Sequence, residues 1–147
     1  MDSKGFKNVF DEVAKRNGFE KAFGGWFKEA SECIGVLDLQ KSNFGDYYEL
    51  NIKIYVQGMF GNNYTINKDL VKKNTGNIFT RQPNEYKDVL DFDVSLDDNI
   101  RKQRLEGLFR EFIVPITDRA LSRQGLKELA TQGKIVLLPA VKQHLGV

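Results

Sequence analysis

The sequence predicts an α+β fold in which an antiparallel sheet of about four to five strands packs against an N-terminal helix and a C-terminal set of helices. Residues 47–56 alternate between polar and apolar side chains, which is the period of a strand with one buried and one solvated face. Apolar residues recur at helical intervals between Leu105 and Ile116, which predicts a helix with one buried face. Predicted strands thus precede a run of predicted helices, an order typical of α+β domains.

The remaining strands are predicted from shorter patterns around this hairpin. Residues 33–40 are apolar on both faces, so we expect a strand that is covered on both sides and joined to residues 47–56 by a hairpin loop. A first strand is predicted over residues 26–30. Residues 78–81 and 89–94 are predicted to form two further short strands.

Helix starts and stops are marked by capping residues and prolines. A helix of about four turns is predicted at the start of the chain. The residues from Ser95 onward resemble a capping box, so a long helix should begin there, with Arg101 on its solvated face. Pro115 predicts a kink or break in that helix, because proline lacks a backbone donor. Ser122 and Pro139 are predicted to start two more helices.

Length and charge limit the classes of partner. A chain of 147 residues fits a single domain over residues 1–147. Its 22 basic and 20 acidic residues give a formal net charge of +2, so we expect no general attraction to nucleic acid or to a membrane. The sequence shows neither the apolar run of a signal peptide nor a stretch of membrane-spanning length, and we expect a cytoplasmic protein. Composition sets no oligomeric state.

Several kinds of catalytic site are excluded by the residues present. The single cysteine, Cys33, and the single histidine, His144, provide no spacing for a zinc site, a Cys/His pair or a Ser/His/Asp triad. Cys33 lies in an apolar strand, which favours a small buried side chain over a reactive thiol. No glycine-rich phosphate loop is present. We therefore predict no catalytic residue, no metal site and no cofactor as the leading interpretation.

Asp91 and Asp93 provide the alternative interpretation. Alternate residues of a strand point the same way, so these two carboxylates could hold Mg²⁺ against a phosphorylated substrate, as in a nucleotidyl or glycosyl transferase. The competing explanation is that both are solvated acids on an edge strand, where charge discourages aggregation.

Four large apolar residues are candidates for a partner-binding surface. Phe44 lies in the hairpin loop, Met59 and Phe60 lie between glycines in a long connection, and Trp26 opens the first predicted strand. If these side chains are exposed together, they form the type of apolar patch that marks a protein partner. Packing in the core under loops is the alternative.

Several segments together match the pattern of one family. Residues 34–42 read Ile-Gly-Val-Leu-Asp-Leu-Gln-Lys-Ser and are followed by Phe44-Gly45, and residues 47–52 read Tyr-Tyr-Glu-Leu-Asn-Ile. The chain therefore resembles the bacterial proteins grouped as domain of unknown function 4304. It departs from that pattern at Lys53, where a glycine or small residue is expected, and residues 57–73 have no matching feature. The other matching segments are Asn17-Gly18-Phe19, Trp26-Phe27, Phe79-Thr80-Arg81 and Leu90-Asp91-Phe92.

The resemblance implies a bacterial, cytoplasmic protein, but the family has no established activity to transfer. It draws attention to the hairpin loop, where Gln40, Lys41, Ser42 and Asn43, together with Arg81, form a candidate polar site. Ser42 and Asn43 can equally close the loop through hydrogen bonds to the backbone.

The function predicted from the sequence is a non-enzymatic, protein-binding module of an immunity type or another interaction protein. The alternative is a Mg²⁺-dependent transferase that uses Asp91 and Asp93.

Overall fold

One antiparallel sheet forms the centre of the computed structural model, which describes residues 1–147. Its five strands lie side by side in the order in which they occur in the chain. With an N-terminal helix and C-terminal helices, this confirms the predicted α+β fold. The strands are β1 (Glu20–Ala22), β2 (Gly25–Glu29), β3 (Cys33–Lys41), β4 (Tyr48–Val56) and β5 (Ile78–Arg81).

The helices occupy the two ends of the chain. Each of them is too short or too polar to cross a bilayer. A π-helical turn at Phe109–Ile113 joins α2 to α3, so the interruption predicted near Pro115 is confirmed. The helices are α1 (Ser3–Arg16), α2 (Asp98–Leu108), α3 (Val114–Arg119), α4 (Arg123–Thr131) and α5 (Pro139–Leu145).

Capping side chains fix where the helices begin. The Asp2 side chain accepts a hydrogen bond from the backbone N–H of Gly5 at 2.7 Å, and Ser122 Oγ accepts one from Gly125 at 3.0 Å. Both satisfy backbone donors that a first turn leaves unpaired. Pro139 stands in the first turn of α5, where its missing N–H costs nothing. The helix starts predicted at Ser122 and Pro139 are confirmed.

The largest core lies between α1, α2 and one face of the sheet. Phe10 is fully buried, and its ring centroid lies 4.6 Å from that of Trp26 and 5.1 Å from that of Phe109. Aromatic pairs at these separations add to the free energy of burial. At the other end of the same face, α3, α4 and α5 bury Cys33, and burial raises the pKa of its thiol to about 12.

The opposite face of the sheet is covered in part by a connection after β4. A π-helical turn at Asp69–Lys73 packs Leu70 and Val71 against this face. Lys53 Nζ donates a hydrogen bond to Val71 O at 2.6 Å, and Tyr55 Oη donates one to Leu70 O at 2.6 Å. The turn is therefore attached to β4 by side chains as well as by apolar contact.

This cover corrects the prediction that β4 has a solvated face. Asn51 and Lys53 alternate with the apolar residues as expected, yet their exposed fractions are only 5% and 3%. The alternation correctly assigns which residues share a face. It carries no information about a segment more than a dozen residues away that later packs over that face.

β1 is a strand that the sequence analysis did not predict. It pairs with β2 through a two-residue turn at Phe23 and Gly24, whose φ angles are both positive at 52° and 78°. Positive φ at both positions is the geometry of a type I′ hairpin turn. Gly24 therefore closes a hairpin between β1 and β2.

The strand predicted over residues 89–94 is wrong. Residues Asn84–Leu90 form a 3₁₀-helical segment, and only Asp91 makes an isolated bridge to Tyr47. Arg101 explains this conformation. Its Nη1 donates to the backbone oxygens of Asp88, Val89 and Asp91 at 3.0, 2.8 and 3.0 Å.

Arg101 was expected on the solvated face of α2, and this prediction is also wrong. The side chain is buried, with 3% exposure, and Nη2 donates to Val94 O at 2.9 Å. One guanidinium thus takes four carbonyl groups that a sheet would otherwise need to pair.

We expect Phe10→Ala to lower the free energy of unfolding by about 3–5 kcal/mol, because it leaves a cavity in the aromatic core. Urea or guanidinium unfolding measures the change. Phe44→Ala is the matched control, because Phe44 is 95% exposed, and it should remain within about 0.5 kcal/mol of wild type. Equal losses in the two variants would contradict the assigned burial.

We expect Arg101→Lys to destabilise the fold by about 2 kcal/mol or more, because an ammonium cannot reach the same set of carbonyl oxygens as a planar fork. The measurement is again equilibrium unfolding. Arg110→Lys is the control, since the Arg110 side chain is 70% exposed. If Arg101→Lys is as stable as Arg110→Lys, the conformation of residues 84–94 does not depend on Arg101.

Candidate functional site

A polar groove runs beside the Asp69–Lys73 turn, on the same face of the sheet. It consists of two adjoining cavities that share Gln40 and Arg81. The loop cavity, of about 230 Å³, lies against the hairpin loop between β3 and β4. The inner cavity, of about 300 Å³, lies between the strands and the segment at residues 72–75. We call the two cavities together the strand-face groove.

Strand register brings the groove residues together. Asp38 of β3 lies opposite Asn51 of β4, and Asn51 lies opposite Arg81 of β5. Alternate residues of each strand share a face, so Gln40 and Lys53 project on the same side as this row. Three strands thus contribute polar side chains to one concave surface.

Hydrogen bonds order the middle of the groove. Asn51 Nδ2 donates to Gln40 Oε1 at 2.9 Å, and Arg81 Nε donates to Asn51 Oδ1 at 3.1 Å. Both polar ends of the buried Asn51 amide are therefore satisfied. Arg81 forms no other side-chain hydrogen bond and no ion pair, and its guanidinium carbon lies 5.5 Å from the centroid of the Phe79 ring.

A buried charge cluster forms the floor of the inner cavity. Asp38 Oδ1 lies 2.6 Å from Lys72 Nζ, and Asp38 Oδ2 lies 3.7 Å from Lys53 Nζ. The side chains of Asp38 and Lys53 are only 6% and 3% exposed. Burial is the main cause of the lowered pKa of Lys53; Asp38 opposes the shift, and Lys72 adds to it.

The hairpin loop forms the wall of the loop cavity. Ser42 Oγ accepts a hydrogen bond from the Phe44 N–H at 2.9 Å, and Lys41 contacts the Asp46 carboxylate. Ser42 therefore has a structural role in closing the loop, which was one of its two predicted roles. The Phe44 side chain projects from this loop and is 95% exposed.

A family model for a domain of unknown function, DUF4304, matches residues 10–119, which is more than half of the chain. The chain belongs to the DUF4304 family. This confirms the resemblance found in the sequence, and the DUF4304 region contains all five strands and the whole groove. The chain matched no curated protein and no solved structure.

The residues of the predicted polar site all line the loop cavity of this DUF4304 domain. Gln40, Lys41, Ser42 and Asn43 lie along its wall, and Arg81 reaches it from β5. The structure thus brings together residues that are separated by about forty positions in the sequence. Whether they bind a ligand remains a prediction.

The four apolar residues predicted for partner binding do not form one patch. Trp26 and Met59 are each 2% exposed, and Trp26 Nε1 donates to Asp11 Oδ1 at 2.8 Å. These two side chains belong to the core, so their predicted place in an exposed patch is wrong. Phe44 and Phe60 are 95% and 74% exposed, but Phe44 precedes β4 and Phe60 follows it, and a strand of nine residues is about 25–30 Å long.

Asp91 and Asp93 do not have the strand geometry that the transferase alternative required. Asp91 Oδ1 accepts a hydrogen bond from the Asp93 N–H at 3.0 Å, which makes a local turn. Asp93 Oδ2 accepts one from the Asp46 N–H at 3.1 Å. Each carboxylate therefore supports backbone in the 84–94 segment and its neighbouring loop.

Sequence reasoning missed Asn51 and the charged residues in the floor of the inner cavity. Asp38, Asn51 and Lys53 sit within strands that were analysed only for apolar alternation, and Lys72 follows them in an unmatched connection. One available signal was an acidic residue in an otherwise apolar strand, because Asp38 lies between Leu37 and Leu39. A buried aspartate requires a cationic partner.

The stability of the wild type relative to Lys53→Met should rise with pH. The folded-state pKa of Lys53 lies below its unfolded value of about 10.4, so the unfolded chain binds more protons between the two values. The relative stability is therefore lowest below the folded pKa and increases as the pH approaches about 10.4.

Urea unfolding of both proteins at several pH values from about 7 to about 10.4 measures this difference. Lys142→Met is the control, because Lys142 is exposed and forms no ion pair. A difference between wild type and Lys53→Met that is independent of pH, or that follows the Lys142→Met curve, would contradict the lowered pKa.

Proposed function

We propose that this DUF4304 protein is a non-enzymatic binding module that takes an acidic segment of a partner protein into the strand-face groove. The proposal places it in the bacterial cytoplasm, where an immunity-type protein would meet its partner. The observation that carries it is a basic groove with exposed aromatic side chains along its margin.

The charge of the groove supports an acidic partner. Its lining contains five basic side chains and two acidic ones, although the protein as a whole carries a formal charge of only +2. Lys73 Nζ lies 3.7 Å from Asp69 Oδ1, and Lys41 contacts the Asp46 carboxylate. These two lysines are therefore paired with acidic residues close to them in the sequence. The excess positive charge of the groove therefore lies on Arg81 and on the two lysines that contact Asp38. Charge complementarity of this type raises association rates and excludes basic partners.

Two aromatic residues support a protein rather than a small ion as the partner. Phe44 beside the loop cavity is 95% exposed, and Phe79 beside the inner cavity is 40% exposed. Aromatic and arginine side chains are enriched at the centres of protein interfaces. Arg81 lies next to Phe79, so the groove offers a charge-bearing fork and an apolar surface together.

Site-specific photocrosslinking in the native host tests this proposal. A photoreactive amino acid replaces Phe44, Phe79 or, as a control outside the groove, Val136, which is 81% exposed. We expect the same protein to be crosslinked from positions 44 and 79 and not from 136. The crosslinked peptide of that protein should be rich in Asp and Glu.

Reconstitution of the purified pair completes the test. Arg81→Glu should weaken the complex by about tenfold or more, and added salt should weaken the wild-type complex in the same direction. Lys142→Glu is the matched control for a change of charge outside the groove, and it should bind like wild type. The proposal is wrong if Arg81→Glu binds like wild type, or if crosslinks form equally from position 136.

A further inference from the structure

We propose that the inner cavity holds one oxyanion, a carboxylate or a phosphate group, between the Arg81 guanidinium and the Lys53–Lys72 pair. The identification of this oxyanion as the acidic group of a partner protein rests on the proposed function. The binding of the anion itself does not, because it is a property of the purified chain.

The floor of the cavity carries an uncompensated positive charge. Asp38 contacts both Lys53 and Lys72, so one carboxylate faces two ammonium groups. Lys53 is 3% exposed, and no further acidic side chain lines the inner cavity. An excess charge that is removed from water is costly unless a counter-ion or another partner compensates it.

Lys53 has donors available for such an anion. An ammonium carries three hydrogens, and Val71 O accepts one of them at 2.6 Å. Asp38 Oδ2 is 3.7 Å away, which is an ion-pair separation but too long for a hydrogen bond. The side chain is therefore held in place by one strong bond while its remaining donors are underused.

Arg81 supplies the opposite wall. Its Nε is used by Asn51 Oδ1 at 3.1 Å, which fixes the plane of the guanidinium. Nη1 and Nη2 have no hydrogen-bond partner in the protein, and two parallel N–H donors suit a carboxylate or phosphate. Arg81 pairs with Asn51, and Lys53 is the next residue of β4 on that face, so the two cations occupy diagonal positions about 7–8 Å apart at Cα.

The other acidic residue of the strand-face groove, Glu49, is already engaged. Glu49 lies two residues before Asn51 on the same face, but it lines the loop cavity and not the inner one. Its Oε2 accepts a hydrogen bond from Gln82 Nε2 at 3.0 Å. Glu49 forms no ion pair with Arg81, whose side chain bonds only to Asn51, so the anion position lies between the three cations.

Nuclear magnetic resonance titration of the ¹⁵N-labelled full chain tests this inference. Sodium phosphate and sodium acetate are added in separate arms at constant ionic strength. We expect saturable shifts of the backbone amides of Lys53, Lys72 and Arg81 in at least one arm. Tighter binding of phosphate assigns the site to a phosphate group, and equal or tighter binding of acetate assigns it to a carboxylate.

Variants separate a built site from general charge attraction. Arg81→Lys keeps the charge but loses the fork, and it should weaken anion binding by about tenfold, as should Lys72→Met. Asp38→Asn should strengthen binding, because it removes the carboxylate that competes for Lys53 and Lys72. Lys142→Met should bind like wild type. Circular dichroism confirms that each variant is folded before its titration is interpreted.

Shifts that stay linear in both arms would overturn the inference, and so would binding that is unchanged in Arg81→Lys and Lys72→Met. Weaker binding in a folded Asp38→Asn protein would also overturn it. Saturable binding without the photocrosslinks described above would retain the anion site and reject the protein partner. Crosslinks without saturable binding would support the protein partner and reject the anion site.

Discussion

The nine-residue register between β3 and β4 is the constraint on which the rest of the structure depends. Side chains of a strand alternate with a period of two, so this register decides which residues face the helices and which face the groove. It places Leu37, Leu50 and Ile52 against α1 and α2, and it places Asp38 opposite Asn51 on the other side. A slip of one residue would exchange the aromatic core for the charged floor of the groove.

Local patterns predicted the elements that depend on neighbouring residues. The central hairpin, the cap at Ser122 and the interruption before Pro115 follow from alternation, hydrogen bonding and the missing proline donor, and the structure confirms them. Residues 89–94 also alternate, but their conformation depends on Arg101, which lies at least seven positions further along. A pattern confined to one segment cannot report a distant side chain that takes its carbonyl groups.

In the candidate site, too, some residues could be predicted from local sequence, and others depend on contacts between distant segments. Gln40–Asn43 are adjacent in the hairpin loop and could be noticed as a group, and Arg81 followed from the matching strand. The place of Asp38 and Lys53 in the site depends on the pairing of β3 with β4 and on the contacts of both residues with the Asp69–Lys73 turn. The sequence could not distinguish the exposed Phe44 from the buried Trp26, because both are large aromatic residues and their exposure depends on the segments that pack around them.

The attachment of the Asp69–Lys73 turn joins the basic wall of the groove to the apolar packing on the same face of the sheet. Only two β4 side chains, those of Lys53 and Tyr55, bond to its backbone, and both bonds leave from the covered face. Lys72 and Lys73 belong to the same turn as Leu70 and Val71, and Lys72 also pairs with the buried Asp38. The basic wall of the inner cavity and the apolar cover over Val36 are therefore parts of one packed segment.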